Sequence, residues 1–333
     1  MRVDADVLRA ALDEGLGQAD VVGHRIVHGG ERFHEAVLVD AQVQNALGEL
    51  VDLAPLHQPK SIGALAAVGE ALPGVPAVAC FDTAFHQTMS IAAATYALPL
   101  QWRERWHVRR YGFHGLSHEF IARRAPQLLG VPAAGLRLVS CHLGAGASLC
   151  AIADGRSVDT TMGFTPLEGL VMATRSGTVD PGLVLWLLEH TGMGAQELSH
   201  ALEHRSGVLG LAGTEDMREV LAAARRGEAG GQLARDVYAH RLRAGIASMV
   251  ATLGGLDAVA FTGGIGQRSA EIRADAAAGL QFLGLEIDES ANAREHGDRE
   301  ITGSGARART LVIDAREDLE IARQARAVVV ATP

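Results

Sequence analysis

Short apolar segments that end in glycine-bearing turns and run on into alanine- and leucine-rich stretches recur along the chain. That alternation constrains the fold more than any other feature, because it fits strands feeding helices and little else. Residues 5–15 read as a helix. Val21 to Val27 reads as a strand interrupted by His24 and Arg25 and running into His28-Gly-Gly30. Residues 61–72 predict a helix with Ile62, Leu65, Ala66 and Leu72 as its apolar positions. Val75 to Phe81 predicts a strand that delivers Asp82 at its carboxyl end, the edge at which open α/β sheets bind ligands. Leu136 to Cys141 and Leu149 to Ala153 predict two strands whose connection, 142–148, is a hairpin tip. Gly182 to His190 follows as a helix, with Pro181 suited to its first turn. A long helix over 232–254 leads to a buried strand, Ala258 to Phe261, then the turn Thr262-Gly-Gly-Ile-Gly266 and a helix from Ala270 to Leu280. Strand Thr310 to Ile313 and helix Glu317 to Val330 close the pattern, and Arg225-Arg-Gly-Glu-Ala-Gly-Gly231 reads as the loosest linker.

The size and charge of the chain exclude several function classes. With 333 residues, 48% of them hydrophobic, the chain can bury a large core and favours two domains over one. A net charge of −9 and no basic block argue against nucleic-acid binding. Cys80, Cys141 and Cys150 are odd in number and sit in apolar runs, as buried reduced thiols do. No apolar run reaches the roughly 18–20 residues of a membrane helix, and Met1-Arg-Val-Asp-Ala-Asp lacks a signal peptide's apolar stretch, so the expectation is a soluble cytoplasmic protein with no membrane partner. Lys60 is the sole lysine, which removes a Walker-type phosphate loop. No Gly-x-Ser-x-Gly elbow occurs, and His34-Glu35 and His118-Glu119 lack the second histidine of a zinc helix.

Three glycine-framed segments suggest the chemistry: Tyr111-Gly-Phe-His-Gly115, His142-Leu-Gly-Ala-Gly146 and Thr174-Arg-Ser-Gly177. Each sets one imidazole or guanidinium beside glycines that let backbone N–H groups approach an anion, so phosphoryl transfer is the leading reading. Thr262-Gly-Gly-Ile-Gly266 is either a phosphate-binding turn or a tight connection in which the glycines only permit packing. Arg25, set among Val21, Val22, Ile26 and Val27, must find an anion or a carboxylate, and so must Arg175. A ligand is one candidate partner; a structural ion pair with Asp82, Asp180 or Glu168 is the other.

Together the motifs resemble the acetate kinase family, within the sugar kinase, Hsp70 and actin superfamily. The resemblance rests on Gly23-His-Arg-Ile-Val-His-Gly-Gly-Glu31, Pro55-Leu-His57, Phe81-Asp-Thr-Ala-Phe-His86 and the Tyr111–Gly115 segment. It continues through His142-Leu-Gly144, Gly163-Phe-Thr-Pro-Leu-Glu-Gly169, the Thr174–Gly177 segment, Phe261-Thr-Gly-Gly-Ile-Gly266 and Glu317-Asp-Leu-Glu-Ile-Ala322, in the family's order and over nearly the whole chain. It implies an α/β fold of two ribonuclease H-like (actin-like ATPase) domains around a cleft, residues 1–84 with 318–333 forming the first and 85–317 the second. It also implies a homodimer that moves the γ-phosphoryl of ATP to acetate or another short-chain carboxylate with Mg²⁺ (or Mn²⁺). By similarity Arg25 and Arg175 hold the carboxylate and the moving phosphoryl, His114 and His142 donate to its oxygens, and Asp82 matches the family's catalytic aspartate; because acetate has no proton to give up, orienting an arginine is the simpler role for it than acting as a base. Val27, Leu56, Phe113 and Pro166 match the pocket for the substrate methyl. His142, Leu143, Gly144, Ala145 and Gly146, then Asp216, Met217 and Arg218, then Gly264, Ile265, Gly266, Gln267 and Arg268 match the nucleotide contacts, and Glu317 the metal ligand.

Two departures from the family pattern stand out. The strand–turn–strand that opens the family is absent before Val21, so the first sheet is expected to show an unpaired edge. Ala145 stands where asparagine is usual, and Gln267-Arg268 replaces the usual Glu-Asn pair. Two readings follow: a carboxylate kinase whose opening hairpins are encoded upstream of Met1, or a short form that binds nucleotide or dimerises without turnover.

Overall fold

The computed structural model describes residues 19–53 and 58–331; the helix expected over 5–15 and the residues Leu56 and His57 lie outside them. Two sheets organise the chain. The smaller contains β1 (Val22–Ile26), β2 (Val37–Leu38) and β3 (Ala77–Phe81), with β3 in the centre, parallel to β1 and antiparallel to β2. Among the described residues β1 is an edge strand whose only sheet neighbour is β3.

Helices α1 (Ala41–Glu49) and α2 (Gln58–Ala71) follow β2 in the chain. Asp40 caps α1 by accepting from the Val43 amide at 2.8 Å. They share a core of Ile26, Phe33, Leu47, Leu65 and Phe81, in which the Phe33 and Phe81 rings stack 4.8 Å apart. Past the short helices α3 (Ile91–Ala94) and α4 (Leu100–Trp106) comes α5 (Gly115–Leu129), which turns Phe120, Ile121 and Ala125 towards the larger sheet and Leu116 towards the smaller.

The larger sheet opens with the antiparallel strands β4 (Arg137–Leu143), β5 (Ala147–Ala153) and β6 (Arg156–Thr160). Helices α6 (Pro181–His190), α7 (Ala195–His204), α8 (Gly207–Ala212), α9 (Met217–Arg225) and α10 (Ala229–Leu253) intervene before β7 (Ala258–Thr262) returns parallel to β4. Tyr238, Leu242, Ile246 and Met249 of α10 bury against Val139, Cys141, Leu149 and Phe261. Helices α11 (Gly263–Arg268), α12 (Ala270–Ala277) and α13 (Glu289–Asn292) lead to β8 (Arg299–Glu300) and β9 (Arg309–Val312), giving the order β6-β5-β4-β7-β9-β8. Helix α14 (Glu317–Ala331) then returns to the smaller sheet, where Ile321 and Ala325 meet Val78, Cys80 and Leu116. Gly23 permits this contact: a Cβ there would lie 2.4 Å from the Ile321 side chain.

Among the described residues the expected elements are present with shifted ends, and two differ in kind. Residues 263–268 wind into a short helix rather than an open turn. Gly263 starts it at φ +77°, where a Cβ would lie 2.7 Å from the Leu143 carbonyl oxygen. The expected linker at 225–231 is reduced to residues 226–228, because Ala229 to Gly231 already belong to α10. A Cβ on Gly231 would sit 2.7 Å from that of Ala223, so the glycine serves the packing of α10 on α9. No helix among the described residues is long and apolar enough to cross a membrane.

One contact ties α5, the helix between the two sheets, to the end of β3. The Gly115 amide donates to the Asp82 carbonyl at 2.8 Å, and a Cβ on Gly115 would lie 2.1 Å from that oxygen. Gly115→Ala is therefore expected to cost about 1–3 kcal/mol through enforced backbone movement. Gly63→Ala, on an exposed turn of α2 with nothing within 4 Å, should stabilise by about 0.5–1 kcal/mol. Urea unfolding of the two variants checks the contrast, and equal shifts would refute it.

Buried histidines give the fold a pH limit. Burial pushes His28 and His86 down to about 4 and lowers His118 well below the usual imidazole range. The unfolded chain binds protons on these rings from about pH 6.5 downward while the folded chain does not. Stability from this source is complete above about pH 6.5 and is lost as pH falls towards about 4. Denaturation midpoints measured from about pH 8 to about pH 4.5 should fall steeply in the lower half of that range; a flat profile would contradict it.

Candidate functional site

Because β4 and β7 run parallel, with His142 opposite Thr262, their carboxyl ends reach the same edge of the larger sheet. The β4–β5 turn opens there too. It is closed tightly by the Gly144 amide donating to the Gly146 carbonyl at 2.9 Å. A cavity of about 880 Å³ lies against this edge, large enough for a nucleotide. Its wall contains Gly144, Ala145 and Gly146 from the turn, Asp216, Met217 and Arg218 at the start of α9, and Gly264, Ile265 and Arg268 from α11. Three separate sequence motifs thus line one space.

Asp216 caps α9 through the Arg218 amide at 2.9 Å, and its ion pair with Arg218 holds the carboxyl down at about 2. Leu143 and Gly266, also expected at the nucleotide, stand behind the wall. Leu143 is a core residue, and Gly266 is buried over Phe261 and Leu143. The carbonyls of Gly266 and Gln267 accept from the buried Arg273 guanidinium at 2.7 and 2.8 Å, which ties the end of α11 to Asn292.

Arg175 lines the same cavity at the end where the imidazoles gather. Its guanidinium and the His114 ring converge on Gly146, where a Cβ would come within 3.3 Å of Arg175 Nη1 and 3.2 Å of His114 Nε2. His114 has a left-handed backbone, φ +57°, as the residue preceding α5, and its ring stacks on His142 with centroids 4.4 Å apart. Burial, then His142, His118 and the arginines, lowers His114 far below the ordinary imidazole value, and burial with Arg25 lowers His142 to about 4. Both rings are neutral at physiological pH. Arg175 loses some basicity to burial, with Glu203 opposing, but a guanidinium stays charged. Charge at this end therefore comes from arginine, and the histidines supply directional N–H groups.

Arg25 and Asp82 face this end from the smaller sheet. Arg25 Nε donates to Asp82 Oδ1 at 3.0 Å and Nη2 to Oδ2 at 2.7 Å, a bidentate pair in which Asp82 is 2% exposed. The carboxylate expected for Arg25 is thus Asp82, not Asp180 or Glu168. Asp82, and then Glu317, raise the Arg25 guanidinium further above its usual range. Burial raises the Glu317 carboxyl, Arg25 opposes the shift, and Asp82 and Asp318 add to it.

Val27 packs beside the cluster that contains the buried Phe113, and the Pro166 carbonyl accepts from Arg175 Nη1 at 3.4 Å. The loop bearing Pro166 is held by a half-buried knot that sequence reading missed. Arg110 Nη2 donates to Glu168 at 2.8 Å and Nη1 to the Met162 carbonyl at 3.1 Å, while the Tyr96 hydroxyl donates to the other Glu168 oxygen. Glu168 is therefore not the partner of Arg175. A Cβ on Gly163 would overlap Glu168 and Tyr96, which explains the glycine opening that motif. Serines were missed as well: Ser148 Oγ lies 2.9 Å from His114 Nδ1 and Ser117 Oγ 2.8 Å from His142 Nδ1. Serines in strands and helices carry no spacing signal that would have picked them out.

The comparisons with known proteins agree along the chain. A family profile described as the acetokinase family matches residues 3–323. An acetate kinase of Acetivibrio thermocellus is 46% identical over 96% of this chain and 82% of its own length. One from Leifsonia xyli is 49% identical over 92% and 77%. The crystal structure of Porphyromonas gingivalis acetate kinase superposes with a TM-score of 0.93 at 34% identity, covering 99% of this chain and 86% of that one. A propionate kinase from Francisella tularensis gives 0.92 at 37% identity, over 97% and 83%. The α/β architecture is that of these kinases, two actin-like lobes, and the non-catalytic short-form reading finds no support among them. The chain belongs to the acetate kinase (acetokinase) family.

Proposed function

We propose that this chain transfers the γ-phosphoryl group of ATP reversibly to acetate, giving acetyl phosphate and ADP, at the junction of the 880 Å³ cavity and the Arg25/His114/His142/Arg175 cluster. The observation that carries the reading is Arg175, which lines the nucleotide-sized cavity and also converges with His114 Nε2 on Gly146. A cation and a neutral N–H donor at the end of a nucleotide cavity are what a moving phosphoryl group needs, since its transfer is mostly positioning and charge neutralisation.

A carboxylate oxygen of acetate attacks the γ-phosphorus as the bond to the β-phosphate oxygen breaks, and ADP leaves with that electron pair. Acetate is already an anion, so no base is required. Asp82 is committed to Arg25 by both oxygens and acts by orienting that guanidinium towards the carboxylate. Arg175 offsets charge on the phosphoryl oxygens, and His114 and His142 donate to them as they spread in the transition state. Val27, Phe113 and Pro166 surround the substrate methyl. The Ala145 side chain offers no hydrogen bond, so phosphate contact in the 144–146 turn falls to backbone amides.

Magnesium fits this site by the chemistry of its donors. Among the described residues no three His, Cys, Asp or Glu side chains converge on one point. A Mg²⁺ that keeps its waters and phosphate ligands needs only one or two carboxylates. Glu317, raised by burial, is a carboxylate that a cation would stabilise. When bound, the ion would neutralise phosphate charge.

The packing of α14 on the smaller sheet supports a division into residues 1–84 with 318–333 and residues 85–317. A second copy of the chain is proposed to cover α6, an apolar helix with no buried residue, on which Leu183, Leu185 and Trp186 are 47%, 59% and 52% exposed. Cys80, Cys141 and Cys150 are free and buried, as suits a reducing cytoplasm.

Trapping the acyl phosphate with hydroxylamine tests the activity. The chain with Mg-ATP and acetate should give acetohydroxamate, and no product would overturn the proposal. Arg175→Ala should lower kcat by about 10²–10³-fold, and Asp82→Asn should weaken acetate use more than ATP binding. Acetate, propionate and butyrate should be separated by only ~1–3 kcal/mol per methylene. Trp186→Asp should shift the sedimentation coefficient towards the monomer; an unchanged value would remove α6 from the contact.

A further inference from the structure

Every imidazole at the phosphoryl end is backed by a buried serine. His118 lies 2.9 Å through Nδ1 from Ser140 Oγ and 2.8 Å through Nε2 from Ser148 Oγ. Ser148 Oγ also lies 2.9 Å from His114 Nδ1, and Ser117 Oγ 2.8 Å from His142 Nδ1. Ser117, His118, Ser140 and Ser148 are all buried. Water cannot complete these bonds, so the protons must be shared among the groups themselves.

The rings are neutral, so each has one N–H and one lone pair to offer. Among the described residues, the Ser140 hydroxyl has one hydrogen-bond partner, His118 Nδ1, and the Ser117 hydroxyl has one, His142 Nδ1. A buried hydroxyl proton without an acceptor is costly. Ser140 must therefore donate to His118 Nδ1, which puts the His118 proton on Nε2, aimed at Ser148 Oγ. Ser148 then sends its own proton to His114 Nδ1, which leaves the His114 proton on Nε2. The reverse polarity would strand the Ser140 proton. Ser117, by the same count, leaves the His142 proton on Nε2.

His86 shows the same arrangement with its polarity fixed independently. Its Nε2 is 3.0 Å from the Phe113 carbonyl, which can only accept, so its Nδ1, 2.9 Å from Ser157 Oγ, accepts from that hydroxyl.

We propose that Ser140, His118 and Ser148 form a one-way hydrogen-bond chain that fixes His114 as the Nε2–H tautomer, and that Ser117 fixes His142 in the same form, so that two uncharged donors face the transferring phosphoryl group. The proposal rests on the phosphoryl-transfer reading. The serines and His118 are positioning residues: they touch no substrate and act by deciding which ring nitrogen carries the proton.

The test is a long-range ¹H–¹⁵N spectrum of the full chain with ¹⁵N-labelled histidine, with and without Mg-ATP, alongside steady-state kinetics. In the unaltered protein His114 and His142 should both show the Nε2–H pattern. Ser140→Ala, three hydrogen bonds away from His114, should admit the Nδ1–H form at His114 and lower kcat by about 10–100-fold with KM for ATP unchanged, the scale seen when the outer partner of an orienting imidazole is lost. Ser148→Ala should do the same, and Ser117→Ala should move the His142 signal alone. Ser157→Ala, which removes a comparable buried hydroxyl beside His86, should alter neither the His114 tautomer nor kcat. An Nδ1–H signal for His114 in the unaltered protein, or an unmoved tautomer in both Ser140→Ala and Ser148→Ala, overturns the chain. A moved tautomer with unchanged kcat supports the chain and overturns the phosphoryl role of His114, so the two failures read differently.

Discussion

The start of α5 rests on the end of β3, and the rest of the site depends on that contact. The Gly115 amide reaches the Asp82 carbonyl at 2.8 Å because no side chain intervenes. Asp82 meanwhile grips Arg25 on the neighbouring strand through its side chain. His114, immediately before the helix, is turned into a left-handed conformation and so points back at the turn of the larger sheet. One residue without a side chain thus brings an ion pair at the smaller sheet against His114 and, stacked on it, His142 of the larger sheet. Leu116, Val78, Cys80 and Ala325 pack beneath it, so the alignment is held by buried apolar surface as well as by the hydrogen bond.

Charge and direction are supplied by different residues at this junction. Arg25 and Arg175 keep their charge, the first strengthened by Asp82 and the second stripped of part of its solvent. The histidines beside them are kept neutral by burial and by those same cations. A protonated ring there would add to the repulsion among cations whenever the anion is absent. A neutral one still offers an N–H with fixed geometry.

Much of the architecture was legible from the sequence because its strands are short apolar runs and its helices are amphipathic or alanine-rich. The hairpin of β4 and β5, the long α10 and the delivery of Asp82 by β3 follow from such patterns. The segments expected at a nucleotide, 142–146 and 264–268, were legible because glycine frames them, and the structure sets both, with Asp216 to Arg218, around one cavity. What escaped is what depends on distant residues. Glycines at 230 and 231 read as a linker, yet the close face of α9 makes them part of a helix. Leu143 and Gly266 belong to a nucleotide-like motif but turn inward, since only alternate positions of a strand or one face of a short helix can reach the cavity. The Arg110–Glu168–Tyr96 knot and the serines behind the histidines join segments tens of residues apart, and no local pattern marks such partners.

The seat of α14 also sets an order of events during synthesis. β1 and β3 leave the ribosome long before the helix that covers one face of their sheet, through Ile321 at Gly23 and Ala325 beside Val78. Until it arrives, that face of the sheet, with Val78 and Cys80 on it, is only partly covered, by Leu116 of α5. The larger sheet needs no such wait for β4, β5 and β6, which pair in sequence order through short turns. The nascent chain therefore holds part of an apolar sheet face open until α14 is made, and that face is where chaperone capture and misassembly would compete with folding.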